Sequence, residues 1–143
     1  MAKIAVVYWS GTGNTEKMAE TFLEEVKAKG CEGELFFANE FSADNLGDFD
    51  GFAFGCPAMG NEALDDGEFE PMFEEVETKL EDKPVAIFGS YEWNDGEWMD
   101  IWQDRCKDNG INLAADGVIA YDDPDDEALD RVRALADSLV EKI

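Results

Sequence analysis

Apolar and polar positions along the chain alternate between two rhythms. Ile4 to Tyr8 is a continuous apolar run, the pattern of a parallel strand buried on both faces. Met18, Ala19, Phe22, Leu23 and Val26 then recur at helical spacing, and Gly30 closes that segment. Glu34 to Ala38 (ELFFA) predicts a short second strand, and residues 39–50 a polar connection with a helical turn around Asp44 to Leu46. The glycine-bounded GFAFG, Gly51 to Gly55, predicts a third strand, followed by the long loop CPAMGNEALDDG. A second helix has Pro71 in its first turn and a stripe of Phe69, Met72, Phe73, Val76 and Leu80.

Pro84 to Gly89 (PVAIFG) predicts a fourth strand, the segment SYEWNDGEW a loop, and Met99 to Asn109 a helix ended by Gly110. Residues 112–120 predict a fifth strand, broken or bulged at Asp116-Gly117. The last helix puts Leu129, Val132, Ala136, Leu139, Val140 and Ile143 on one face, with acidic residues at its start. Strands alternating with amphipathic helices predict an α/β, doubly wound parallel sheet of five strands with helices on both faces. In such a sheet ligands sit beyond the carboxyl ends of the strands, where the strand order reverses. That rule gathers the loops 9–15, 56–67 and 90–98 in one place.

Composition narrows the chemistry. The 143 residues predict one domain with a real core, and 45% apolar residues exclude a disordered acidic tail. The formal net charge of -24 argues against nucleic acid and anionic membranes and favours a basic protein partner. The 3 cysteines include no CxxC pair, which disfavours a disulfide framework or zinc site and fits a reducing cytoplasm. The absence of histidine removes the usual general base and the commonest metal ligand. With no signal-peptide pattern and no long apolar run, neither export nor a membrane span is expected.

The loop YWSGTGNT, Tyr8 to Thr15, has the makings of an anion site without a cation. Ser10, Thr12, Asn14 and Thr15 offer side-chain donors. Gly11 and Gly13 let backbone N–H groups turn inward, and a helix start aims its positive end at the same spot. The plain alternative is an ordinary strand-to-helix turn with a Ser/Thr/Asn cap. The ATP-type loop lacks its lysine, and Glu16 stands where the dinucleotide fingerprint needs its third glycine. Neutral donors suit a parked phosphate rather than phosphoryl transfer, which needs cations to offset developing charge. Met59 beside Gly60-Asn61, and Trp93 in a turn-rich segment, can sandwich a planar ring. The plain alternatives are core filling for Met59 and a surface anchor for Trp93.

Together YWSGTGNT, GCPAMG, EFEPMF, GSYxW and GEWM, in that order and spacing over nearly the whole chain, resemble the short-chain flavodoxins of clostridial type. The resemblance implies strand order 2-1-3-4-5 and one bound FMN. It implies a low-potential one-electron carrier, not an enzyme, shuttling between semiquinone and hydroquinone. An FMN protein dedicated to one partner, of the ribonucleotide-reductase-activator type, is the alternative. By this resemblance Ser10, Thr12, Asn14 and Thr15 hold the FMN phosphate with backbone help from Gly11 and Gly13, and Trp9 shields that loop. Met59 lies on the inner flavin face and Trp93 stacks on the outer one. Gly60 offers a carbonyl to flavin N5 after a peptide flip, and Glu62 contacts the far ring edge. Ala58 and Ser90 line the ribityl and phosphate region. Pro57, Asn61 and Tyr91 complete the surround, Pro57 without the phosphate-binding serine of some relatives. Implied partners are basic-surfaced reductases and ferredoxin-dependent enzymes, met by a cytoplasmic monomer.

The chain departs from the family pattern at Asn61, Glu92 and Asn94. A left-handed backbone at Glu92 would be strained, or the loop reshaped. Two other classes find no support. A receiver domain needs acidic residues where SGTG and CPAM stand, and a cysteine phosphatase needs an arginine soon after Cys56, whereas the next one is Arg105.

Overall fold

The computed structural model describes residues 2–59, 63–92 and 94–143. Strands β1 (Lys3–Tyr8), β2 (Glu32–Phe37), β3 (Gly51–Gly55) and β4 (Pro84–Tyr91) lie in one parallel sheet with β5 (Asn112–Leu113) and β6 (Val118–Tyr121). The order is β2-β1-β3-β4-β5, with β6 also paired to β4. The predicted fifth strand is therefore two short pieces. Both pair with β4, Pro84 facing Asn112 and Phe88 facing Val118. The break falls over Ala114 to Gly117, where Gly117 packs against Met99 and Ile87 and has its N–H bonded to Gln103 Oε1. β2 begins two residues before the predicted Glu34 and stops at Phe37, because Ala38–Glu40 turns into a short 3₁₀ segment. A second 3₁₀ segment, Ala43–Asp48, covers the expected helical turn.

The helices are α1 (Asn14–Ala28), α2 (Phe69–Val76), α3 (Glu97–Asp108) and α4 (Asp126–Glu141). α2 stops at Val76, although Leu80 beyond it is buried in the same core. α3 starts two residues earlier than the apolar pattern suggested, behind Gly96 with φ 84°.

Alternate residues of the central strands feed two cores. Ile4, Val6, Ala53, Ala86 and Phe88 face α1 and α4. Ala5, Val7, Phe52, Phe54, Val85 and Ile87 face α2 and α3. Arg105 of α3 clamps α2 with paired bonds to Glu70 (2.7 and 2.6 Å) and Glu77 (2.8 and 2.8 Å). Among the described residues no helix is long and apolar enough to cross a membrane.

Candidate functional site

The strand order turns around between β1 and β3, so the loops leaving those strands part to opposite sides and leave a crevice. Backbone bonds carry the pairing one step into the loops. Trp9 N–H donates to Gly55 O (3.0 Å), Cys56 N–H to Phe88 O (3.1 Å), and Ala58 N–H to Ser90 O (2.9 Å). The crevice is a half-open cleft of about 190 Å³ lined by Trp9, Gly11, Thr12, Asn14, Pro57, Ala58, Met59, Ser90, Tyr91 and Glu92. Residues from all the loops singled out in the sequence thus meet in one cavity.

At one end of the cleft lies the start of α1. Gly13 takes the N-cap position at φ 97°, a conformation open to glycine because it has no Cβ, and no side chain caps the helix. First-turn N–H groups of such a helix are available to an anion. The hydroxyl-bearing residues grouped by the sequence divide their work. Thr12 and Asn14 line the cleft. Ser10 Oγ accepts from Gly13 N–H at 3.0 Å and so braces the turn. Thr15 is buried and shares a 3.0 Å hydrogen bond with the hydroxyl of Ser90.

No lysine or arginine lines the cleft among the described residues. Lys17, the nearest cation in sequence, does not line the cleft and is engaged elsewhere. Its Nζ lies 3.5 Å from Asp123 Oδ1 and donates to Pro124 O at 3.5 Å. Nearby, the Tyr8 hydroxyl donates to Glu16 Oε2 at 2.9 Å. Burial, reinforced by Glu16, pushes this phenol up to about 12, so it remains a neutral donor.

The other end is apolar and aromatic. Met59 is held by its N–H, which donates to Ala63 O at 3.0 Å. Tyr91 packs between Trp98 (centroids 5.7 Å apart) and Tyr121 (5.5 Å). Underneath, Trp98 Nε1–H donates to Cys56 O at 3.3 Å. A Cβ on Gly89 would overlap that same carbonyl and stand 2.9 Å from the Trp98 ring. Among the described residues of this turn the positive φ angles fall on Asp95 (50°) and Gly96 (84°), and Glu92, exposed on the rim, is not left-handed. The strain expected at Glu92 is therefore absent. Gly60, Asn61, Glu62 and Trp93 lie outside the described residues.

Cys56 is fully buried, and burial drives its thiol far above the ordinary range, which removes it as a nucleophile. Three supporting residues escaped the sequence reading: Glu68, whose carboxylate meets the Trp9 indole, Gly89 and Trp98. Gly89 ends the PVAIFG run and signals a close approach. Nothing in the sequence ties Glu68 to a tryptophan 59 positions away.

A doubly wound parallel sheet with a cation-free anion loop and an aromatic wall at its switch point defines a class of protein. It is one that parks a phosphorylated, planar ligand beyond its strand ends. Comparison with known proteins gives the family. Residues 6–134 match the family described as Flavodoxin. The chain is 42% identical over 116 residues to the flavodoxin of Megasphaera elsdenii, covering 81% of this chain and 85% of that one. It is 41% identical over 125 residues to the flavodoxin of Clostridium beijerinckii, covering 87% and 91%. The solution structure of two-electron reduced Megasphaera elsdenii flavodoxin superposes with a TM-score of 0.84 at 38% identity, over 96% of this chain and 98% of that one. The chain belongs to the flavodoxin family; it is an electron-transfer protein, and its cofactor is FMN. The cleft fits that cofactor in its donor set: neutral hydroxyl, amide and backbone donors at one end, thioether and aromatic surface at the other.

Proposed function

We propose that this single-domain protein is a low-potential, one-electron carrier of the cytoplasm, serving basic-surfaced partners such as reductases and ferredoxin-dependent enzymes. Bound FMN supplies the redox chemistry, cycled between semiquinone and hydroquinone. The observation that carries this reading is the charge pattern of the cleft. Neutral donors from Gly11, Thr12 and Asn14 stand at one end, apolar groups from Met59 and Tyr91 at the other, and among the described residues no cation lines the space between.

The residues of this chain divide the task in a way their chemistry explains. Thr12, Asn14 and the first-turn N–H groups of α1 hold the phosphate, while Ser10, Gly13 and Thr15 set the loop that presents them. Ala58 and Ser90 border the chain between phosphate and ring. Met59, Tyr91 and Trp9 present apolar surface to the ring, which reduces the screening of a charge placed there. Charge added at the ring is therefore placed inside a chain of net charge -24, with no lysine or arginine among the described lining residues to offset it. That arrangement opposes full reduction and lowers the potential at which it occurs. The relative from Megasphaera elsdenii is known in a two-electron reduced state, which supports a fully reduced form as one end of the cycle. The same net charge steers basic partners towards the protein and makes their association fall with salt.

Anaerobic titration of the purified holoprotein tests the proposal. Expected are a yellow oxidised form, a blue form at half reduction, and a second step at markedly lower potential. A colourless protein that ignores added FMN would sink it.

A further inference from the structure

Trp9 sits at the phosphate end of the cleft, and its orientation is set from outside the loop that carries it. Its indole Nε1–H donates to Glu68 Oε1 at 3.1 Å. A Cβ on Gly11 would come within 3.2 Å of the same ring, so the indole lies against the backbone of the loop. Glu68 does not line the cleft; it stands at the N-cap position of α2. That position is braced. Glu68 N–H donates to Asp65 Oδ2 at 2.7 Å, and Phe69 N–H donates to the same oxygen at 2.9 Å. Asp65 is buried, and its own N–H donates to Cys56 Sγ at 3.4 Å. A carboxylate on a capped helix start, tied back to the end of β3, thus holds an indole belonging to the loop after β1.

A tryptophan on a glycine-rich loop has several accessible rotamers, and only some of them cover the loop. A charge-assisted bond to a fixed carboxylate selects one. We propose that Glu68 is a positioning residue of the cofactor site: by accepting the Trp9 indole proton it keeps the ring over the phosphate loop before FMN enters. The inference rests on the reading of this cleft as the FMN site. The carboxylate charge itself opposes a nearby phosphate, so the benefit lies in the bond and not in the charge. That makes the two separable. Glu68→Gln retains an oxygen acceptor at the same place without the charge, whereas Glu68→Ala loses both.

The test is equilibrium binding of FMN and of riboflavin to the full-length apoprotein, read by flavin fluorescence quenching. It compares the wild type with E68A, E68Q, W9F and E68A/W9F. Losing a charge-assisted bond that orders the site weakens FMN binding roughly tenfold in E68A. Riboflavin lacks the phosphate that the ring covers, so its affinity stays within about twofold. E68Q matches the wild type for FMN to within about threefold, and E68A adds nothing once Trp9 is already Phe, because the bond is then absent. Wild-type FMN affinity in E68A would overturn the inference. Equal losses for FMN and riboflavin, the signature of a general structural defect, would do so too, as would full additivity in the double variant. A wild-type protein that binds neither flavin would overturn the reading of the cleft and this inference with it.

Discussion

Thr15 in the first turn of α1 and Ser90 near the end of β4 hold each other by a buried hydroxyl–hydroxyl bond of 3.0 Å, across 75 residues of sequence. The Ser90 N–H also donates to Thr15 Oγ1, at 3.4 Å. This pair pins the helix that presents the anion loop to the strand that carries the aromatic wall. Removing the Thr15 hydroxyl leaves that of Ser90 buried without this partner, whereas Ser90→Ala leaves Thr15 Oγ1 the backbone N–H of residue 90. Thr15→Val should therefore cost about 1–3 kcal/mol and Ser90→Ala less, with the double variant costing clearly less than their sum. Urea unfolding of the apoprotein measures this; strictly additive losses would show that the two hydroxyls do not act on each other.

Gly89 makes a sharper case. A side chain there runs into the Cys56 backbone carbonyl, which cannot swing aside as a side chain can, and into the Trp98 ring at 2.9 Å. Gly89→Ala should therefore cost about 3 kcal/mol or more and weaken FMN binding, since Cys56 opens the loop that carries Met59. Gly47→Ala, where a Cβ meets nothing within 4 Å, is the matched control and should cost under about 1 kcal/mol. Equal stability of the two variants, by thermal unfolding, would contradict the packing argument.

Glu92 is an exposed carboxylate on the rim of the cleft. Its charge adds to the cost of placing an electron at the ring, through solvent that screens it in part. Glu92→Gln should raise the potential of the second reduction step by roughly tens of millivolts at low ionic strength, and by less in high salt. Potentiometry at both ionic strengths checks this. An unchanged potential would mean that the side chain points to bulk water.

Glu25 of α1 and Asp137 of α4 meet at the interface of those helices. A hydrogen bond shared with Asp137, then burial, raises the Glu25 carboxyl above its ordinary 4.5, against the pull of Lys29 and Arg133. A raised folded-state value means that the pair stabilises the fold below the ordinary value. That contribution is lost as pH rises through the raised one. Asp137→Asn supplies an N–H in place of the shared proton. The variant should thus lose less stability than the wild type as pH rises from 4.5 to neutral. Urea midpoints across that range test it; parallel curves for the two proteins would remove the shared proton from the account.

Much of the fold is legible in the sequence, for a physical reason. Runs such as Ile4 to Tyr8 and Phe52 to Phe54 are apolar at every position because both faces of a parallel sheet are covered. The helices show one apolar stripe because they cover only one face. The strand ends were less clear. Phe37 closes β2 because a 3₁₀ turn takes over, and the end-to-end split of β5 and β6 appeared in sequence only as an Asp-Gly breaker. The loop SGTGNT was legible as a cluster of small donors. Which of them face the cleft was not, since Ser10 and Thr15 have the same chemistry as Thr12 and differ only in their neighbours.

By itself the sequence determined the α/β class, the loops that meet in the cleft, and the absence of a cation in SGTGNT. All three are local matters of periodicity, turn chemistry and charge. The tertiary structure decided how those loops are held. Lys17 turns away to Asp123, Thr15 locks to Ser90, Gly89 makes room for the Cys56 carbonyl, and Glu68 aims Trp9. Each of these joins residues far apart in the chain, and only packing, which sequence spacing does not encode, brings such partners within hydrogen-bond reach.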